Sequence, residues 1–245
     1  MAKRAKTIVD DYLRKIARGD LAEGQPLPTE SILIDHYGVS RTAVREAMQT
    51  LATMGFVLVR QGSGSTVAPR TSWNVLDGEY LAVTGAGDAL LEHLLESREN
   101  LEPAIAGLAA QRANRGLTDR LEALVTDLAE AGFSEPERHA DLDVAFHHAL
   151  AEGTQNPVLV SLHRSISHLD REQRLTLAHD PGAVHRAVFW HGQIADAVAR
   201  GDSATAHDAM RMHLRQVQAD LDAVRRGEEV DYAAGRTTGL RSSPI

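Results

Sequence analysis

From residue 88 to residue 226, apolar side chains recur at helical spacing in one segment after another, with no strand-like alternation between them. Gly116, Gly132, Gly153, Pro157, Pro181 and Gly201 punctuate the pattern. It predicts helices over about 88–115, 118–131, 136–152, 157–178, 183–200 and 202–226. A stretch that is helical throughout can bury its apolar stripes only by laying helix on helix. We therefore expect an all-α antiparallel helical bundle over 88–226. Beyond it the periodicity is lost, and 227–245 is expected to be a disordered tail.

The first seventy residues read differently. Ile8, Val9, Tyr12, Leu13 and Ile16 line one face of a helix that Gly19 stops. Gly24, Pro26 and Pro28 keep Leu21–Pro28 extended. Thr29 can cap a short second helix carrying Ile32, Leu33 and Tyr37, and Gly38 then turns the chain. Ser40 is a good N-cap for a third helix with Val44, Ala47, Met48 and Leu51 on its apolar face, closed by Gly55. Phe56–Val59 and Thr66–Val67 are β-prone, and Gln61–Ser65 between them suits a hairpin tip. Three helices and a small β-hairpin wing describe an N-terminal winged helix-turn-helix over 1–70. The fold class is thus mainly α. Gly78, Gly85 and Gly87 break the pattern over 71–87, which is expected to be a linker.

Charge divides at the same place. The 245 residues carry a net charge of -8, but residues 1–70 hold ten Lys/Arg against seven Asp/Glu, and the remainder sixteen against twenty-seven. A basic head can meet nucleic acid; an acidic body cannot do so electrostatically. The absence of cysteine excludes disulfides and thiolate metal sites and suits a cytoplasmic location. No apolar run reaches the roughly 18 residues of a membrane span, so no membrane partner is expected.

On the third helix, Thr42, Arg45 and Gln49 point away from the apolar face, with Arg41 at its edge near the helix start. A recognition helix needs that arrangement, because its polar N-terminal residues must reach base edges while the opposite face packs inward. Two arginines on an amphipathic helix can also be a mere solvated face; the extended segment, capped helix and glycine-rich hairpin around them favour DNA. The runs Gly24-Gln-Pro-Leu-Pro-Thr-Glu30, Tyr37-Gly-Val-Ser-Arg-Thr-Ala-Val-Arg-Glu-Ala47 and Gly62-Ser-Gly-Ser-Thr-Val67 closely resemble the DNA-binding domain of the GntR regulators. The resemblance covers about residues 7–68 and implies DNA contacts from Ser40, Arg41, Thr42, Arg45, Gln61 and Gly62. Ser31 stands where many members carry an arginine.

The body is rich in histidine: eleven of the twelve lie beyond residue 70. Asp143 and His147, four apart, share an interior helix face with Phe146 and Leu150. His191 lies within the stripe Val184, Val188, Ile194, Ala195 and Val198, and His213 flanks Met210, Val217, Leu221 and Val224. Each alone reads as a satisfied core residue. Together they form a set of nitrogen and oxygen donors that suits a divalent Zn, Ni or Mn ion, Zn first. Arg98 is the fifth inward polar group, and it can either pair with Glu102 one turn on or clamp a carboxylate ligand.

Leu95-Glu-Ser-Arg98, Asp143-x-x-Phe-His147, Asn156-Pro157, Trp190-His191 and Met210-Arg-Met-His213 resemble the ligand-binding domain of the FadR subfamily, of FCD type, over about residues 85–226. That resemblance implies a divalent metal on Asp143, His147, His191 and His213, and a small carboxylate effector near Arg98. Trp73-Asn-Val-Leu-Asp77 is similar to repressors of galactonate and other sugar-acid operons. His148, His163, His168, His179 and His185 have no such placement and are expected at the surface or behind the site.

These readings describe a transcriptional repressor that binds a palindromic operator as a homodimer and leaves it when a hydroxy- or sugar-acid binds at the metal. A regulator that senses the metal itself is the alternative. A metallohydrolase is disfavoured: the chain has no His-Glu-x-x-His helix and no Gly-x-Ser-x-Gly elbow, so no enzyme is expected.

Overall fold

The computed structural model describes residues 3–60, 64–85, 88–167, 169–226, 229–231 and 236–238. The chain divides between Gly87 and Asp88 into two compact units.

In the first unit, α1 (Lys3–Arg18), α2 (Glu30–Tyr37) and α3 (Arg41–Thr53) surround a core of Ile8, Val9, Leu13, Ile16, Val44, Ala47, Leu51 and Phe56. Gly38 ends α2 with a left-handed backbone, φ 61°, which makes the tight turn into α3. The Ser40 hydroxyl caps α3 by accepting the Ala43 N–H at 3.3 Å. Thr29 holds the N-cap position of α2 without a side-chain hydrogen bond. Strands β1 (Val57–Arg60) and β2 (Gly64–Val67) form the antiparallel wing, with Val57 opposite Val67. The extended segment before α2 lies along β2: Leu27 N–H donates to Ser65 O at 2.8 Å, and Val67 N–H to Gln25 O at 2.9 Å.

Over 71–85, the described part of the expected linker 71–87, the chain is more than a linker. A 3-10 turn (Arg70–Ser72) and a helix α4 (Gly78–Thr84), capped by the Asp77 carboxylate, belong to the first unit. Phe56 draws them in: its ring stacks on Tyr80 at 4.8 Å and meets Trp73 at 5.4 Å, while Trp73 Nε1–H donates to Ala68 O. Gly55 makes this approach possible. It has φ 80°, and a Cβ there would lie 1.9 Å from Ser72 O. The left-handed backbone alone costs a larger residue about 1–2 kcal/mol, and the collision adds to it. Gly55→Ala should therefore lower the melting temperature of this unit by at least about 4 °C; an unchanged melt would show that 70–84 is not held in this way.

The second unit is the expected helical bundle: α5 (Asp88–Gln111), α6 (Arg115–Ala131), α7 (Pro136–Gly153), α8 (Pro157–Ser167), α9 (Arg171–Ala178), α10 (Pro181–Ala199) and α11 (Ser203–Arg226). Helix α11 lies along α5 and α10, while α7 packs on α5, α6 and α9. Ile105, Leu121, Leu128, Phe146, Leu150, Ile194, Val198, Met210 and Leu214 form the shared core. Two boundaries differ from expectation. The first helix stops at Gln111, because Asn114 caps α6 by accepting the Leu117 N–H.

The single helix expected over 157–178 is two. The chain breaks before α9, and Asp170 at the break is buried between two arginines, so its carboxylate serves them rather than capping the helix. In the tail, β3 (Glu229–Asp231) pairs antiparallel with β4 (Arg236–Thr238); its other residues, 227–228, 232–235 and 239–245, lie outside the described residues.

Candidate functional site

The third helix presents the surface a DNA reader requires. Ser40, Arg41, Thr42, Arg45 and Gln49 are all exposed, opposite buried Ala43, Val44, Ala47 and Met48. Glu30 organises the two arginines: Arg45 Nε donates to it at 3.0 Å and Arg41 Nε lies 3.9 Å away. Both guanidiniums are mostly solvated, so these pairs orient the side chains more than they stabilise the fold. Gln61 and Gly62, expected to touch DNA from the wing, lie outside the described residues.

In the second unit, Asp143 and His147 from α7, His191 from α10 and His213 from α11 converge. One ligand atom from each lies within 4.8 Å of the others, and all four residues are buried. His191 Nε2 is 3.2 Å from Asp143 Oδ1 and 3.3 Å from His147 Nε2. Burial holds His191 and His213 well below the usual imidazole value, with neighbouring charge and imidazoles adding to it, so both are neutral and keep a lone pair to offer. Both ring nitrogens of His213 and Nδ1 of His191 are buried with no hydrogen-bond partner among the described residues. Such orphans are costly in a dry core. Three imidazoles and a carboxylate converging on one point, with those three nitrogens unsatisfied, fit a borderline divalent cation.

Around the cluster runs a closed chain of buried charges. Arg174 pairs with Asp143 and, at 3.0 Å, with Asp170. Asp170 Oδ2 also takes Arg98 Nη1 at 2.7 Å, and Arg98 Nε donates to Glu102 Oε1 at 2.7 Å. Glu102 Oε2 then stands 2.7 Å from Nδ1 of His147, which returns the chain to the ligand set. A carboxylate behind a ligating imidazole fixes which nitrogen faces the cation. Burial pushes Glu102 up, but Arg98 and His147 outweigh it and hold its carboxyl well below its usual value. Burial pushes Asp170 up to about 6 despite Arg98. Burial, and then Arg98, hold the Arg174 guanidinium well below its usual value against the pull of Glu102, even as it pairs with Asp143 and Asp170.

The two fates open to Arg98 from sequence are therefore not exclusive. It is 2% exposed, it pairs with Glu102, and it also lines a cavity together with Asp143 and His213. Five polar lining residues escaped the sequence reading: His139, Gln173, Arg174, Gln216 and Asp220. His139 had a signal, since 139, 143 and 147 form one i, i+4, i+8 row on α7. Arg174 and Gln173 had none, because only the break at Asp170 turns α9 toward the ligands. His163 is fully buried behind Glu102, 4.0 Å from its Oε1, and burial lowers its pKa to about 4. His148 is half-buried, His179 and His185 are exposed, and His168 lies outside the described residues. Among the described residues no helix is long and apolar enough to cross a membrane.

Residues 4–67 match the family of bacterial regulatory proteins named gntR, and residues 93–216 match the FCD domain. The galactonate operon transcriptional repressor of Escherichia coli is 30% identical over 80% of this chain and 87% of its own. The regulator LutR of Bacillus subtilis is 32% identical over 83% and 94%. A solved structure of a Streptococcus agalactiae GntR protein, 31% identical, superposes over 88% of this chain and 99% of its own with a TM-score of 0.50. These relatives are transcriptional regulators rather than enzymes. The chain belongs to the GntR family, as a DNA-binding transcriptional regulator whose second unit is an FCD domain.

Proposed function

We propose that this protein is a cytoplasmic, metabolite-responsive repressor that binds a palindromic operator as a homodimer and is released by a hydroxy- or sugar-acid. The observation that carries the reading is the buried Asp143, His147, His191 and His213 set, of which Asp143 and His213 line one cavity together with Arg98 and Arg174. The four residues would hold a divalent ion, Zn before Ni or Mn, which when bound supplies positive charge for a carboxylate and an adjacent hydroxyl. Arg98 and Arg174 orient the rest of the carboxylate through donors not spent on Glu102, Asp143 and Asp170. A regulator that only sensed the metal would need no cavity beside its ligands. The galactonate operon repressor among the relatives supports both the repressor role and a sugar-acid ligand.

Operator binding falls to Ser40, Arg41, Thr42, Arg45 and Gln49, with Gln61 and Gly62 at the wing. One such helix reads only a few base pairs, so a two-fold dimer is needed to specify a site. Arg45→Ala should weaken operator binding by about 1–3 kcal/mol and relax preference at one base pair in each half-site. Titration against operator and random duplexes checks this; equal losses on both would reassign Arg45 to phosphate contact. For the whole reading, elemental analysis and mass spectrometry of the purified protein should find a divalent ion and a small organic acid. Finding neither, with no acid able to release operator DNA, would overturn it.

A further inference from the structure

The groove between helix α3 and the wing holds a carboxylate. Glu30, the first residue of α2, lines it together with Arg45 and Gln49 from α3 and Arg60, Gly64 and Ser65 from the wing. A duplex lying on this face brings phosphates with it, and a carboxylate there subtracts from the attraction to DNA of any sequence. Arg41, Arg45 and Glu30 together carry one positive charge where the two arginines alone would carry two. An exposed ion pair adds little to stability, and a carboxylate in the first turn of so short a helix adds little more.

The geometry gives the carboxylate another use. A guanidinium has two edges that can grip a pair of acceptors: its side, through Nε and one Nη, and its end, through Nη1 and Nη2. Glu30 Oε1 takes the side of Arg45, accepting from Nε at 3.0 Å, while Arg41 Nε stands 3.9 Å from Oε2. The end of the Arg45 fork has no partner among the described residues, and the side chain is 69% exposed. Held by its side, Arg45 has only its end left for a base, and that end matches the O6 and N7 acceptors of guanine. A fork already fixed also loses less rotamer freedom on binding.

We propose that Glu30 is a positioning residue for sequence reading, which commits Arg45 to end-on pairing with guanine while its charge weakens attraction to DNA of any sequence. This rests on the reading of Arg45 as a base contact and goes beyond it. The positioned fork offsets the lost attraction only at its own base pair. Specificity is a difference of affinities, so disfavouring wrong sites widens it as surely as favouring the right one.

The test starts from a pool of randomised duplexes, from which the full-length protein selects its preferred site. Bound sequences give the preference at each base pair for the parent and for Glu30→Ala, Glu30→Gln and Arg45→Ala. Arg45→Ala identifies the base pair that Arg45 reads. Glu30→Ala should reduce the preference at that same base pair by about tenfold, and it should tighten binding to a scrambled duplex. Glu30→Gln keeps an acceptor for Nε and drops the charge, so it should restore most of the preference and still tighten the scrambled duplex. In a salt series both Glu30 variants should steepen the dependence of log affinity on log salt by up to about 0.9, the value of one more phosphate contact.

A merely structural Glu30 predicts otherwise: a lower thermal melt, with equal weakening on selected and scrambled duplexes. That result would overturn the proposal and leave Arg45 a base contact. So would an unchanged preference in Glu30→Ala, no recovery in Glu30→Gln, or a lost preference at a base pair that Arg45→Ala does not affect. No change at any base pair in Arg45→Ala would overturn both.

Discussion

Stripping the protein with a chelator is expected to lower the melting temperature of its second unit by about 5–10 °C. The ligands come from α7, α10 and α11, so a cation there adds a tie among three helices. A ligand present at a hundred times its dissociation constant stabilises by about 2.7 kcal/mol, and each kcal/mol shifts the melt of a domain this size by about 2–4 °C. Without the cation, the unpartnered nitrogens of His213 and His191 stay buried.

Acid acts in the same direction. Both imidazoles are held below their usual 6.5 in the fold, so as pH falls below that value the unfolded chain takes up protons that the folded one refuses. Stability is retained above pH 6.5 and lost as pH drops through it, and metal affinity falls with it because protons compete for the donors. Calorimetric melts of metal-loaded and stripped protein across this range check both statements. Full metal occupancy in His191→Ala and His213→Ala alike would remove these residues from the ligand set.

Arg98→Ala is expected to cost about 3–5 kcal/mol of stability, the effect of removing one partner from a fully buried ion pair. Glu102 and Asp170, each 1% exposed, would lose the guanidinium they share. Denaturant unfolding measures the loss; a midpoint unchanged from the parent protein would show that the charge chain carries no stability. Arg98→Lys separates folding from ligand binding. A lysine restores a positive charge between the two carboxylates but not the planar fork, so it should recover part of the stability and still respond poorly to effector. A full response in Arg98→Lys would assign Arg98 to the scaffold alone.

Much of this architecture was legible in the residues. Helical periodicity in the body, Ser40 as a cap and Gly38 at a turn each report local conformation, and the structure realises them. Asp143 and His147 were legible as a pair because four residues place two side chains on one helix face. Spacing also places His191 and His213 on inward stripes. The linker was misjudged for a physical reason: three glycines suggest a broken chain, but Trp73 and Tyr80 are held by Phe56, a partner remote in sequence.

The sequence by itself thus determined the elements, the inward faces and the donor types, because those follow from the chemistry of residues a few positions apart. Only the tertiary structure decided which charges share which partners. Asp170 looks like one residue of a continuous helical stripe until Arg98 and Arg174 reach it from α5 and α9. It sits buried between them where that helix is interrupted, and Gln173 and Arg174 just beyond the interruption line the cavity. The i,i+4 spacing of Asp170 and Arg174 is local, but the burial of the pair is not, since the energy of a buried charge depends on what α5 and α7 place beside it.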